Sequence, residues 1–457
     1  MRNIVVIGSG PSGSAASLVL LELGWNVIMI DIDSEAESQN SDSNYSSPSL
    51  KSLKKIANKD YPYDINQFLQ LKGPAKNWFT SKAKGGFSLV WGATWSRNEN
   101  LEDESWITAK KKVDQLMGSF INSENSRFAE GNQTCTCFDD ILTKSANGPS
   151  SENLSLGFSS MAVNNDRCDL SGECHDFCKK KAIWSSLEFL KKCAEYPNFH
   201  YRSNFFVERV QHFPDKVRVN SAEEFIESDY CLLGAGPIGN SAILIKSNIT
   251  DEVSLRDTQM ITVPILRIKA KKQHKGAFGL SGMTMDGVTG NMKFHMQFYG
   301  HPETFLERIL EKFPDWTHKL LRMFFKPLSK FLYVSILYLD SMASGEIKLQ
   351  QGVPLKYGFE MQPNYDLLQK KIKRYISKSI RNLSMFPLWK LAEHAGVGDS
   401  YHMGAARGVQ MDGVGRLTDY KRIGMLGSFA LPQIEPGPIT YMAMTQSVLL
   451  AFSLNDD

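Results

Sequence analysis

No stretch of this sequence is both long and apolar enough to suggest a membrane span. The uncharged run Ile4–Leu21 is interrupted by Gly8, Gly10, Pro11 and Gly13, which suits a strand, a turn and a helix better. Phe331–Leu339 is apolar but only nine residues long. An excess of charge of one sign is also missing. The 52 Lys plus Arg and 49 Asp plus Glu leave a net charge of +3, which gives no general electrostatic case for a nucleic-acid partner. Cysteine is sparse: seven in 457 residues, unevenly spaced, do not make a disulfide scaffold. There is no internal repeat. A composition of 42% hydrophobic and 22% charged residues excludes wholesale disorder. A secretory leader is not expected, because the first apolar run is already a functional motif, so a cytoplasmic protein is the expectation.

The length corresponds to about three domains' worth of chain at roughly 150 residues each. Arg2–Ile7 is a short β-branched run that predicts a buried strand. The turn Gly8-Ser9-Gly10-Pro11-Ser12-Gly13 follows it. Ser14–Leu23 is rich in Ala and Leu and predicts a helix stopped at Gly24, and Trp25–Ile30 predicts a second strand ending at Asp31. A strand, glycine turn, helix and strand in about thirty residues is the setting a dinucleotide fingerprint needs. Gly8 allows the tight turn, Gly10 lets the backbone approach a pyrophosphate, and Gly13 lets helix pack on strand. Pro11 and Ser12 open the helix, whose N-terminus offers amides and a positive dipole end to phosphate. Asp31 is placed to accept hydrogen bonds from ribose hydroxyls. The motif alone does not separate FAD from NAD.

Further along, Ser34–Ser52 is polar without apolar period and reads as a loop, Lys84–Arg97 as a structured Gly- and Trp-rich loop, and Asn98–Ser160 is poorly patterned. Helices are expected at Ala182–Tyr196, Ile238–Ser247, Glu303–Phe325 (broken at Pro314) and Tyr365–Ile380. Strands are expected at Phe205–Val210, Lys216–Val219, Tyr230–Leu233, Met260–Ala270, Lys293–Tyr299, Phe331–Leu339 and Glu346–Leu349. In Lys293–Tyr299 the alternation sets Phe294, Met296 and Phe298 on one face and His295, Gln297 and Tyr299 on the other. That polar face, with His301 just beyond it, either lines a substrate pocket or is merely solvated. Glu303–Phe325 mixes aromatic and basic residues. Core packing with a solvated face is favoured there over contact with a membrane.

Cys168, Cys174 and Cys178 fall within eleven residues, with Gly172 allowing a tight turn, so three thiols can converge on one soft metal centre. With His175 as a fourth ligand the site suits zinc. Three thiolates alone are the right number for a three-iron cluster, and unligated cysteines are the third reading.

Four later stretches, with the first glycine turn, resemble the glucose–methanol–choline (GMC) flavoprotein oxidoreductases. Gly85-Gly86-Phe87-Ser88-Leu89-Val90-Trp91-Gly92 is similar to the family's Gly-Gly-x-Ser loop along the flavin and its phosphates. Leu232–Ile238, around Gly236, is similar to the segment that returns to the nucleotide domain. Ser400–Arg407 resembles the stretch carrying the catalytic histidine, here His402. Gly427–Thr445 resembles the closing strand and helix, whose N-terminus near Thr440 faces the flavin. The likeness covers about a quarter of the chain, in the right order.

The resemblance implies an α/β fold, α+β overall: a Rossmann-type FAD-binding domain with an inserted substrate domain built on an antiparallel sheet. On this reading 1–260 is the FAD domain, including a loop and cysteine-rich region at about 98–185. Residues 261–395 are the substrate domain, and 396–457 complete the FAD domain. It implies oxidation of a CH–OH group in a small-molecule alcohol or sugar derivative by hydride transfer to FAD, with His402 as the base. The Val207 backbone is the candidate adenine contact. Val90 stands where some relatives carry a flavin-linking histidine, so FAD is expected to be non-covalent. The final segment, Gln433–Pro438, holds no His or Asn where the family usually has one, and Glu435 and Tyr441 are the remaining candidates. The cysteine stretch resembles that of multi-subunit bacterial GMC glucose dehydrogenases, which implies an iron–sulfur relay. It would make the chain a dehydrogenase that passes electrons to a protein or quinone. The alternatives are a flavin and iron–sulfur electron-transfer subunit without its own turnover, and an NAD-dependent enzyme.

Overall fold

The structure, a computed structural model, describes residues 2–33, 63–64, 79–89, 91–95, 103–121, 136–146, 153–172, 174, 178–270, 278–300, 310, 314–395 and 402–455. The expected loop Ser34–Ser52, and Val90, His175 and His301, lie outside these residues. The β-branched run Asn3–Ile7 forms the middle of a parallel sheet, in the spatial order Ile423–Met425, Tyr230–Leu233, Asn3–Ile7, Asn26–Ile30, Phe199–Arg202. Alternation along the first strand feeds two cores. Ile4 and Val6 pack into one with the first helix (Pro11–Glu22), the closing helix (Thr440–Ser453) and the helix Glu104–Met117. Val5 and Ile7 pack into the other, with the helix Gly236–Lys246 and a three-stranded antiparallel sheet of residues 209–228. Cover on both faces explains why the inner strands Asn3–Ile7 and Tyr230–Leu233 are short, nearly continuous apolar runs, whereas the edge strand Phe199–Arg202 alternates.

A second, seven-stranded antiparallel sheet runs Met385–Pro387, Met260–Arg267, Leu332–Leu339, Met292–Tyr299, Ser281–Thr289, Leu154–Phe158, with Glu393–His394 pairing Met260–Arg267 alongside. Its core face carries Val263, Phe294, Met296, Phe298 and Leu337, and is covered by Ile372, Ile376 and Ile380 of the helix Tyr365–Arg381. The helix Thr136–Ala146 adds Phe138 and Ile141 to that core. It is fixed there by a two-pronged ion pair: Arg267, 1% exposed, donates to Asp140 at 3.0 and 2.6 Å. A four-stranded antiparallel sheet, 356–361, 345–350, 252–257 and 403–407, joins the two larger sheets.

Several elements differ from the sequence expectation. The helix expected over Ala182–Tyr196 covers only Ser186–Cys193. The strand expected at Phe205–Val210 starts at Arg209, because Phe205 instead donates its amide to the Asp31 carbonyl at 2.8 Å. The poorly patterned region contains the helix Glu104–Met117, whose N-cap Asp103 accepts the Ser105 amide at 2.9 Å, and the strand Leu154–Phe158, which completes the large sheet. Beyond Pro314 the described helix is Asp315–Leu328. It runs through Pro327, and Trp316, Leu320, Met323, Phe324 and Leu328 are exposed rather than packed into a core. Among the described residues no helix is long and apolar enough to cross a membrane.

Candidate active site

The loops that leave the carboxyl ends of the five parallel strands converge, where open α/β sheets bind ligands. The first holds the glycine turn. Gly8 adopts a φ of +98°, and a Cβ there would lie 2.4 Å from the Gly234 carbonyl oxygen. A Cβ on Gly13 would lie 2.0 Å from the Gly8 oxygen, so the third glycine is fixed by helix-on-strand packing. Gly10 is different. Nothing stands within 4 Å of where its Cβ would be, so its backbone faces open space beside Pro11 and Ser12 at the start of the helix. That is the cradle a pyrophosphate needs.

Asp31 follows the second strand and is buried. Its carboxylate accepts the Ser9 amide at 2.6 Å and the Ile32 amide at 2.7 Å. Burial pushes its pKa up from 3.8 to about 6 against the pull of the Ser9 hydrogen bond, with Asp33 adding repulsion. Ser9 also ties in the second glycine loop: its hydroxyl accepts the Gly85 amide at 2.8 Å. The Gly86 Cβ position is 3.3 Å from the Gly10 Cα, and the Ser88 hydroxyl donates to the Gly85 carbonyl at 2.6 Å while accepting the Ser186 amide at 2.9 Å. Val207 is buried just beyond the Phe205 contact to Asp31. Gly236 opens its helix at φ +75° with open space around it. The glycine turn, Asp31 and the Gly85–Ser88 loop are therefore brought together in one crevice at the carboxyl ends of the strands.

Gly427 also reaches it, but not through its own amide, which donates to Gln446 at 2.7 Å and Ser447 at 3.0 Å. A Cβ at Gly427, φ +77°, would lie 2.5 Å from the Ser12 hydroxyl, so this glycine lets the final segment press against the first helix. Thr440 starts the closing helix, half-buried.

His402 precedes the strand Met403–Arg407 and is held by its backbone: the Thr258 amide and hydroxyl donate to its carbonyl at 3.1 and 3.2 Å. The Ser428 hydroxyl donates to the next carbonyl, Met403, at 2.7 Å. The imidazole stacks on Tyr338, ring centroids 5.0 Å apart and 24° between planes. The residue is partly accessible, yet its ring sits deep enough that burial, with His295 adding repulsion, pushes the pKa from 6.5 down to about 4. A neutral imidazole at physiological pH can accept a proton.

Facing this crevice, the polar side of the large sheet carries a connected set. The Tyr299 hydroxyl donates to Gln297 at 2.8 Å, Gln297 reaches His295 Nε2 at 3.3 Å, and His295 Nδ1 meets Asp286 at 2.7 Å. Tyr338 is the cross-strand partner of His295. The alternation of this strand follows the sequence pattern. Asp286 was not singled out in the sequence, although the two-residue turn Gly290–Asn291 sets the register that opposes it to His295. Ser9 and Ser186 were also missed; small serines between motif residues carry no pattern of their own. Of the remaining candidates, Glu435 is engaged by Lys293 at 2.9 Å, and Tyr441 is buried with its ring edge-on to Trp95.

Cys168, Cys174 and Cys178 line one pocket with Leu170, Ser171 and Lys179. Yet among the described residues no group of three or more His, Cys, Asp and Glu side chains is arranged to hold a metal ion. The three-iron cluster expected from their spacing finds no support. Cys174 is instead a half-buried thiol, pushed up to about 11 by loss of solvent, and the Cys178 sulfur accepts the Ala182 amide at 3.3 Å.

No protein-family model and no curated protein matches the chain. Solved structures do. A pyridoxine 4-oxidase from Mesorbium loti superposes with a TM-score of 0.60 at 12% identity, covering 100% of both chains. A formate oxidase matches with a TM-score of 0.62 at 14% identity, covering 100% of this chain and 98% of that one. A variant of the Aspergillus oryzae RIB40 formate oxidase, described for its FAD modification, gives 0.63 at 14% over the same shares. At these identities the likeness is one of fold: the Rossmann-type parallel sheet with an antiparallel sheet facing it is the architecture the chain shares with these oxidases.

Proposed function

We propose that the chain binds FAD non-covalently in this crevice and oxidises a CH–OH group of a small-molecule alcohol or sugar derivative, with His402 taking the hydroxyl proton. The observation that carries the reading is a neutral, deeply set imidazole beside the nucleotide crevice, opposite a polar sheet face. The crevice suits the cofactor: Gly10 leaves space for a pyrophosphate, and Asp31 offers a carboxylate to ribose hydroxyls. Gly8, Pro11, Ser12, Gly13, Gly85, Gly86, Ser88, Val207, Gly236, Gly427 and Thr440 would complete its cradle. FAD, when bound, supplies a hydride acceptor. The protein's part is to orient the carbinol carbon, exclude water and remove the proton. His402 is unprotonated above about pH 4 and so is free to take the proton, while burial makes it a weaker base than a solvated imidazole. We take residues 261–395 as the substrate-binding unit, since the polar strand face belongs to it.

Among the described residues no group of side chains is arranged to hold a metal ion, so the proposal includes no iron–sulfur relay and takes in a dehydrogenase and an oxygen-consuming oxidase alike. The anaerobic half-reaction is common to both enzyme types and tests the proposal. Purified protein should show a flavin spectrum that bleaches with one member of a panel of alcohols and sugars. His402→Ala should keep the flavin but bleach about 10²- to 10⁴-fold more slowly, the range for a lost general base. A folded protein without flavin, or a variant that bleaches at the wild-type rate, would overturn it.

A further inference from the structure

The final segment has neither His nor Asn beside the crevice, and the structure shows what occupies the space instead. Gly437 adopts a φ of +107°, and a Cβ there would lie 2.9 Å from the His295 ring. A side chain at position 437 is therefore excluded by an imidazole that comes from the opposite sheet. We propose that His295, backed by Asp286, is the second proton-handling imidazole of the site and carries to solvent the proton that His402 removes from the substrate. This rests on His402 being the base.

The hydrogen bonds fix the tautomer. Tyr299 donates to the Gln297 oxygen, so the Gln297 amide nitrogen faces His295 Nε2 and donates to it, which leaves the ring proton on Nδ1 toward Asp286. The Nε2 contact is long, at 3.3 Å, and can yield to a better donor. His295 is 3% exposed while Asp286 is 58% exposed, so the pair runs from the closed interior to water. Tyr338 lies against both imidazoles, 5.0 Å from His402 and 6.0 Å from His295 between ring centres. The titratable groups around His295 are Asp286 on one neighbouring strand, Tyr338 on the other and His402 nearby. Lys293, two residues earlier, is paired with Glu435. In the relay only a proton moves. His402 returns to neutral as His295 Nε2 gains a proton, and the Nδ1 proton passes through Asp286 to water.

Two measurements test it. In a histidine NMR titration of the whole protein, His295→Gln should raise the His402 midpoint, because the ionisable imidazole that opposes its protonation is gone; an unmoved midpoint would overturn the coupling. In anaerobic flavin reduction followed by reoxidation, His295→Ala should slow turnover by roughly tenfold or more, with partial rescue by added imidazole, and Asp286→Asn should shift the pH profile. Wild-type turnover in His295→Ala, or a loss that imidazole does not relieve, would overturn the relay while leaving His402 as base. Wild-type reduction in His402→Ala would instead defeat the function it rests on.

A separate observation concerns the helix Asp315–Leu328, which lies in the chain between the strands carrying His295 and Tyr338. Trp316, Leu320, Met323, Phe324 and Leu328 form one exposed stripe, Trp316 81% and Met323 62% accessible. Lys319, Arg322 and Lys330 are exposed beside it. We infer that this face docks on an anionic phospholipid surface, with the apolar stripe at the acyl boundary and the cations among the headgroups. A second copy seated face to face would set these cations against each other. The protein should sediment with phosphatidylglycerol-containing vesicles and much less with pure phosphatidylcholine. The double variant L320E/F324E, with unchanged circular dichroism, should lose at least roughly tenfold in binding. No sedimentation by the wild type, undiminished binding by the double variant, or a lipid-free dimer that the double variant abolishes would overturn it.

Discussion

At Asp31 a carboxylate is held in the interior by two amides and still prefers its proton more than it would in water. Its pKa is raised to about 6, so the group adds stability below its unfolded value of 3.8, and that contribution is lost as pH rises through about 6. Asp31→Asn should therefore flatten the pH dependence of thermal unfolding of the cofactor-free protein between about pH 4 and 6, an effect of a few kcal/mol at most. A variant whose unfolding keeps the wild-type pH profile would show that another group sets it. Asp31 was legible in the sequence because it ends a strand at a fixed distance from a glycine turn. Its partner Ser9 was not, because the motif leaves that position open. His295 was legible by alternation, whereas its role depended on Gly437, a contact between residues far apart in the chain that only packing reveals.

Elements were readable where one physical signal dominated. Tyr230–Leu233 is a continuous apolar run, and its bounds match the expectation. The strand Ser281–Thr289 was not foreseen, since Gly282 and Gly287 weaken its pattern; a Cβ at Gly287 would lie 2.4 Å from the Phe294 ring, so packing demands the residue that propensity disfavours. The helix Thr136–Ala146 was hidden for another reason: among its described residues only Phe138 and Ile141 are buried in the core, and a charge pair completes the attachment. Burial works against the ionised Asp140, but hydrogen bonds from Arg267 and Lys269 outweigh it and lower its pKa. Removing only one partner leaves a buried guanidinium uncompensated. Asp140→Ala should destabilise the protein by about 3–5 kcal/mol in denaturant unfolding, and Arg267→Met combined with it should recover part of that loss. A cost below about 1 kcal/mol for Asp140→Ala would mean that water compensates Arg267.

For the whole molecule, the class of fold followed from one βαβ unit and a handful of ordered motifs, while the pairing of strands did not. Strands pair across long separations, and nothing local in Leu154–Phe158 says that it joins an antiparallel sheet at a strand more than a hundred residues away. The parallel sheet carries a further consequence. The helix that covers the glycine turn, Thr440–Ser453, comes late in the chain yet packs on the first helix, and the late edge strand Ile423–Met425 pairs with Tyr230–Leu233, next to the first strand. During synthesis the first strand and helix must wait with an uncovered apolar flank until almost the entire polypeptide has left the ribosome. A nascent chain stalled before residue 423 should thus be a client for chaperones rather than a partly assembled enzyme.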